Sequence, residues 1–284
     1  MTQGPAVGRR RLGIELRKLR LAARLDGKAA GETIGVSASK ISRLENGKAT
    51  LNKGELRSLL EAYGVTDPDT LDRLHAMARV AAEASWWDDY DDVLPSGLDT
   101  YVGLEEAVSA LHSYTNHLLH GLVQTPDYAR ALIRAERPRE RADTVERLVE
   151  LRMRRQHVFD RAEPFTLWAI TEETVLRRPV GGAAVMARQL ERLLALVDTG
   201  RVLLQVLPLA AGAHAGAAGP FTVMKFPEAT DRDIVYIDSP AGNVYVQNPT
   251  AVGDYIERFD LLKDSALDPA DSVALAQQIL KEMT

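Results

Sequence analysis

The chain has 284 residues, 45% of them hydrophobic and 26% charged, with a formal net charge of −5, an ordinary soluble globular composition long enough for two domains. It has no cysteine, which excludes disulfides and thiolate-ligated zinc or iron–sulfur centres. No run approaches the roughly 18 apolar residues of a membrane span, and the basic N-terminal stretch "LGIELRKLRLAARL" is broken by charge every few residues, unlike a signal peptide, so a cytoplasmic protein is expected.

The charge is unevenly spread. Residues 1–60 hold thirteen bases and five acids, a net +8, which leaves −13 on the remainder. Such asymmetry points to a polyanion-binding head on an acidic body.

In chain order, "MTQGPAVG" reads as a flexible lead-in. Leu12, Leu16, Leu19 and Ala23 then recur at helical spacing, giving an amphipathic helix over 9–25. Asp26 is placed to cap a short helix over 27–34, which Gly35 ends in a tight turn. Ser37 caps a third helix from 38 to about 46, Asn52 and Glu55 are spaced as the capping box of a fourth, and Asp67–Pro68 opens a fifth. Helices two and three meet across about three residues, the helix-turn-helix arrangement. Gly31 is small where their backbones approach, and Ile34, Ile41 and Leu44 face a shared core.

"GVSASKISRLENGK" resembles the turn, recognition helix and following loop of the lambda-repressor-like (XRE-type) DNA-binding domain, and residues 9–80 are similar to that domain as a whole. The resemblance implies that the start of the third helix enters the major groove of double-stranded DNA. Ala38, Ser39 and Arg43 would then face base edges, with Ser37, Lys40 and Ser42 close by. Arg43 is the strongest reader, because a guanidinium bonds bidentately to guanine. Asn46, Lys48 and the start of helix two at Gly27 and Lys28 would hold phosphate. Arg20 and Glu45 match a buried ion pair of the family and are read as structural. Arg9, Arg10 and Arg11 are weighed as an arm reaching a minor groove or phosphates against a merely solvated helix start.

"SWWDDYDDVLPSG" marks a change of composition and is read as a linker over 83–99 between a head of 1–82 and a second domain of 100–284. Trp86 and Trp87 are expected to pack onto the second domain, with an aromatic cage for a cation as the sharper alternative. From 100 to about 161 the pattern is read as helical, with Leu104, Val108, Leu111 and Leu118 on one stripe. Five strands follow, at 165–170, 201–209, 221–226, 233–238 and 243–247, the first two joined through a helix and therefore parallel if they share a sheet. Two helices, 249–265 and 268–283, close the chain. The expected fold is an all-α five-helix head plus a larger α+β domain with a mixed sheet.

"HGLVQTPDYARAL", "LRMRRQHVF", "TEETVLRRPVGG" and "LLQVLPLAAGAHAGAAGPFTVMKF" are similar to the C-terminal domain of unknown function (DUF family 5753) found behind such heads in actinobacterial regulators. The resemblance implies an antitoxin-like transcriptional regulator and carries no catalytic residues. The family's usual proline before "GL" is His120 here. His112, His117 and His120 lack the carboxylate of an obvious metal set, and neither metal nor cofactor is expected. His214, in the glycine-rich 210–219 stretch, is the one residue there kept as a ligand contact. The expected function is sequence-specific DNA binding by a homodimer whose second domain dimerises and senses a small-molecule effector or a small protein partner. The alternatives are an antitoxin-like module whose main task is to hold that partner, and an enzyme fused to a DNA-binding head using Glu172, Glu173 or His214.

Overall fold

The computed structural model describes residues 4–95, 97–228, 231–239 and 242–283. The chain divides into two compact units, Met1–Asp89 with Asp99–Ala107, and Tyr90–Leu98 with Val108–Thr284.

The first unit is helical. It contains α1 (Pro5–Ala22), α2 (Gly27–Thr33), α3 (Ala38–Glu45), α4 (Lys53–Ala62) and α5 (Pro68–Ala81), and most of α6 (Leu98–Glu105). The capping chemistry read from the sequence is in place. Asp26, Ser37 and Asp67 each accept a backbone N–H three residues on, and Asn52 with Glu55 closes a reciprocal capping box. Leu12, Leu16, Ile41, Leu44, Leu56, Leu59, Leu60 and Leu74 form one buried core. Helix α1 begins at Pro5, earlier than expected, so the lead-in is not flexible over 5–8; residues 1–3 lie outside the described residues. The reason is local: proline suits the first helical turn, and Ala6 and Val7 are buried.

The tryptophan pair sits on a 3₁₀ turn, Trp86–Tyr90. Trp87 is 2% exposed and lies in the first unit, together with residues 99–107, the part of the 100–284 stretch against which it packs. Gly103 of α6 makes room for it: a Cβ there would stand 3.1 Å from the Trp87 ring and collide with Ala6. Trp86 donates its indole N–H to Glu106.

The second unit is α+β, with a six-stranded mixed sheet in the order β3-β2-β1-β4-β5-β6. The strands are β1 (Ala110–Thr115), β2 (Thr166–Glu172), β3 (Val202–Leu207), β4 (Phe221–Lys225), β5 (Ile234–Ile237) and β6 (Val244–Val246). Strands β1, β2 and β3 run parallel; β4, β5 and β6 continue antiparallel. The crossover α10 (Ala183–Asp198) joins β2 to β3 as read from the sequence. Strand β1 corrects the helical reading of 100–161: Leu111, Ser113 and Tyr114 are buried at the centre of the sheet, where β1 bonds β2 on one side and β4 on the other. Helices α7 (Pro126–Glu136) and α8 (Ala142–Arg155) pack together through Ala129, Ile133, Val145, Leu148 and Val149. A five-residue helix, α9 (Glu173–Arg177), follows β2. Helix α11 (Pro249–Ser265) covers one sheet face with Val252, Phe259 and Leu262, and α12 (Pro269–Met283) lies against α10 and β3.

His112 of β1 is stacked on Phe259, with ring centroids 5.0 Å apart, and edge-on to Trp168. Burial, with Lys225 adding, pushes it down to about 4. The unfolded chain therefore binds a proton that the folded chain refuses, and stability falls as pH drops below the ordinary histidine value. Denaturant titrations between pH 7 and pH 4.5 should show this loss, at up to about 1.4 kcal/mol per pH unit below about 6.5 for this histidine. A His112→Phe variant should show a shallower slope; an unchanged slope would mean that other groups govern the acid limb.

Candidate nucleic-acid interface

Helices α2 and α3 are set against each other by backbone, not by side-chain bulk. Gly31 lies so close to the turn that a Cβ on it would collide with the Val36 carbonyl oxygen. The same carbonyl-rich turn is closed by Val36 N–H donating to Gly31 O at 2.9 Å, and Gly35 adopts φ +68°, a conformation that glycine takes without strain. Gly13 of α1 plays the same part at the other end of α3, where a Cβ would stand 2.5 Å from Leu44 O and 2.7 Å from Glu45 O. No motif marked Gly13 in the sequence; its signal is a glycine inside an otherwise apolar-periodic helix.

On α3, Ile41 and Leu44 point into the core, while Ser37, Ala38, Ser39, Ser42 and Arg43 are exposed. Arg43 Nη2 makes one long bond, 3.4 Å, to Lys48 O. Its guanidinium is thus held near the end of the helix at little cost to a competing acceptor. Asn46 folds back, donating to Ser42 O at 2.7 Å. Lys40 Nζ is engaged by Glu55 Oε1 at 2.8 Å, which ties α3 to the capping box of α4. That bond and the Asn52 N–H hold the Glu55 carboxyl below the usual carboxylate range. At the start of α2, Lys28 is exposed and Gly27 half-buried.

Arg20 and Glu45 form the predicted ion pair. Arg20 Nε meets Glu45 Oε1 at 2.5 Å, Nη2 meets Oε2 at 2.9 Å, and Nη1 donates to Leu25 O at 2.8 Å. The side chains are 12% and 7% exposed. Hydrogen bonding to Glu45 raises Arg20 above its ordinary value, and burial together with Glu45 pushes the neighbouring Tyr63 up to about 12. The pair stitches α1 to the end of α3.

The three N-terminal arginines do not form an extended arm; all lie in α1. Arg10 is buried, and Gly47, at φ +70°, lies close against its backbone. Arg9 Nη1 donates to Ala81 O at 3.4 Å, and Arg11 is half-buried. Of the ligand contacts expected outside the head, Trp87 offers no open face. His214 is tethered instead: Nδ1 accepts from Gly216 N at 3.2 Å, and Nε2 lies 3.6 Å from Glu172, which also accepts the Tyr114 hydroxyl at 2.6 Å. His112, His117 and His120 are not brought together as a site, and among the described residues no group of three or more His, Asp or Glu is placed to hold a metal ion. No helix among them is long and apolar enough to cross a membrane.

Two family models match the chain. A helix-turn-helix domain model covers residues 11–74, and the model of a domain of unknown function, DUF5753, covers residues 98–278. No curated protein and no solved structure matches.

Proposed function

The chain belongs to the DUF5753 family and carries a helix-turn-helix domain ahead of it; from that premise we propose a sequence-specific transcriptional regulator that reads double-stranded DNA with α3. The observation that carries the reading is the division of α3 into a buried side, Ile41 and Leu44, and an exposed side, Ala38, Ser39, Ser42 and Arg43, on a helix locked at both ends by glycine contacts. A rigid helix with small residues at its start and one guanidinium beyond them suits a major groove. Lys28, Lys48 and Arg11 would supply phosphate contacts, which set register but not sequence. Lys40 contributes less, since Glu55 already neutralises it.

A single head offers few base contacts, so a homodimer on a two-fold operator is the natural form. The second unit would dimerise and sense a ligand or a protein partner. We assign it no catalytic role: Glu172 is engaged by Tyr114, and His214 by its own loop.

Arg43→Ala should weaken specific binding by about 1–3 kcal/mol and relax preference at one base pair while leaving binding to random DNA nearly unchanged. Competition shift assays with the operator and its point variants measure both. Equal losses on specific and random DNA would make Arg43 a phosphate contact and remove the main reader from the reading.

A further inference from the structure

Helices α1, α2, α3 and α4 end in the same way. After each, the chain turns through one residue at positive φ, and two backbone N–H groups close the turn onto carbonyls three and five residues back. The turning residue is Gly35 after α2, Gly47 after α3 and Gly64 after α4, at φ +68°, +70° and +72°. After α1 it is Arg24, at φ +57°, and among the described residues no other non-glycine residue stands at positive φ. A Cβ at Gly35 or Gly64 would meet nothing within 4 Å, so glycine serves there for conformation and not for room.

Arg24 therefore carries a backbone cost that glycine escapes. Contacts within the head do not offset it: the side chain is exposed, and among the described residues it makes no hydrogen bond or ion pair. A cation suits the end of a helix, but Arg20 already stands in the last turn of α1. A strained residue with no structural return points to a use for its side chain.

Its place indicates which use. The start of α2 abuts the start of α3, where a Cβ on Gly27 would stand 3.8 Å from the Ala38 Cβ. Arg24 lies three residues before Gly27, at most about 11 Å of chain, and Lys28, also exposed, directly follows Gly27. Two bases thus flank the start of α2, beside the residues that lead α3. A duplex that takes α3 into its major groove brings the phosphates of the groove edge to that side of the head.

We propose that Arg24 is a phosphate contact of the bound duplex, retained in left-handed backbone because glycine, which suits the turn, carries no charge. The proposal rests on the reading of α3 as the helix that enters DNA.

Fluorescence anisotropy of the full chain on two labelled duplexes of unrelated sequence, between about 50 and 200 mM salt, tests it. Arg24→Gly and Arg24→Ala should each weaken binding about threefold to tenfold at 0.1 M salt, by the same factor on both duplexes, and lower the salt slope by about one. Arg24→Lys should keep the parental slope. Arg79→Gln, which removes an exposed base on α5, should also keep it. In denaturant, Arg24→Gly should raise the midpoint of the head above the parent's, and Arg24→Ala should not. A parental slope in Arg24→Gly and Arg24→Ala overturns the proposal, as does an equal loss in Arg79→Gln. An Arg24→Gly variant less stable than the parent would assign the guanidinium to the end of α1 and overturn it too. A parent that binds neither duplex sinks the DNA-binding reading together with the proposal; a parent that binds both, matched by Arg24→Gly, sinks the proposal alone.

Discussion

Glu45→Ala should destabilise the head by about 3–5 kcal/mol, because it leaves a buried guanidinium without its partner. Arg20 donates two bonds to Glu45 and one to Leu25 O, and its side chain is 12% exposed. Removing the carboxylate leaves Nε and Nη2 unsatisfied next to Tyr63, in a position where water has little access. The measurement is the first unfolding transition of the full chain, followed by far-ultraviolet circular dichroism. The double variant Arg20→Met/Glu45→Leu should recover most of the loss, since two apolar side chains of similar volume remove the stranded charge along with the pair. A single variant that melts with the parent would show that the pair is peripheral to stability. A double variant no better than the single one would show that the loss comes from packing, not charge.

Gly31→Ala should cost about 3 kcal/mol, at the top of the usual range for overpacking, and should weaken DNA binding as well. The added methyl would meet the Val36 carbonyl oxygen and, at 3.3 Å, the Ser37 backbone carbon. These are backbone atoms with no rotamer to change, so relief requires α2 and the turn to separate. That separation strains the Val36 N–H to Gly31 O bond and displaces the start of α3, where the residues proposed to face bases lie. Gly27→Ala is the matched comparison. Its nearest neighbour is Ala38 Cβ at 3.8 Å, ordinary contact, so it should be neutral or stabilising by up to about 1 kcal/mol. Chemical denaturation of both variants decides the point; a Gly31→Ala variant as stable as Gly27→Ala would mean that no close approach constrains position 31.

The head was largely legible because its signals are local. Caps act over three residues, the turn needs one glycine at positive φ, and Ile41 and Leu44 fall three apart on one face. Arg20 and Glu45 were legible only through resemblance, since nothing within either helix marks a partner 25 residues away. The second unit hid its central strand. Residues 104–118 place apolar side chains at spacings that also suit a helix, and α6 does occupy the first part of the stripe. The alternation of a strand is obscured in β1 because buried Ser113 looks polar in sequence; its hydroxyl is satisfied 3.0 Å away by Thr222. Its histidine is likewise half-buried between rings instead of solvated. Arg152 was visible only as one base among several on α8. Its hydrogen bond to Gln124, from the segment before α7, is one that no pattern within a single helix reports.

The position of β1 has a consequence for how the protein is made. Ser113 and Thr222 are bonded across the sheet although 109 residues apart in the chain, and β1 also waits for β2. The helical unit is complete in the chain by Ala107, before either strand partner of β1 has been made. At translation rates of about 5–20 residues per second, roughly 6–24 s then pass before β4 leaves the ribosome. Until β2 is made, about halfway through, both edges of the central strand are unpaired, and the edge that β4 covers stays so for the whole interval. Such an edge is a template for wrong pairing. Synthesis that stalls in this window would leave a folded helix-turn-helix unit with no completed sheet behind it.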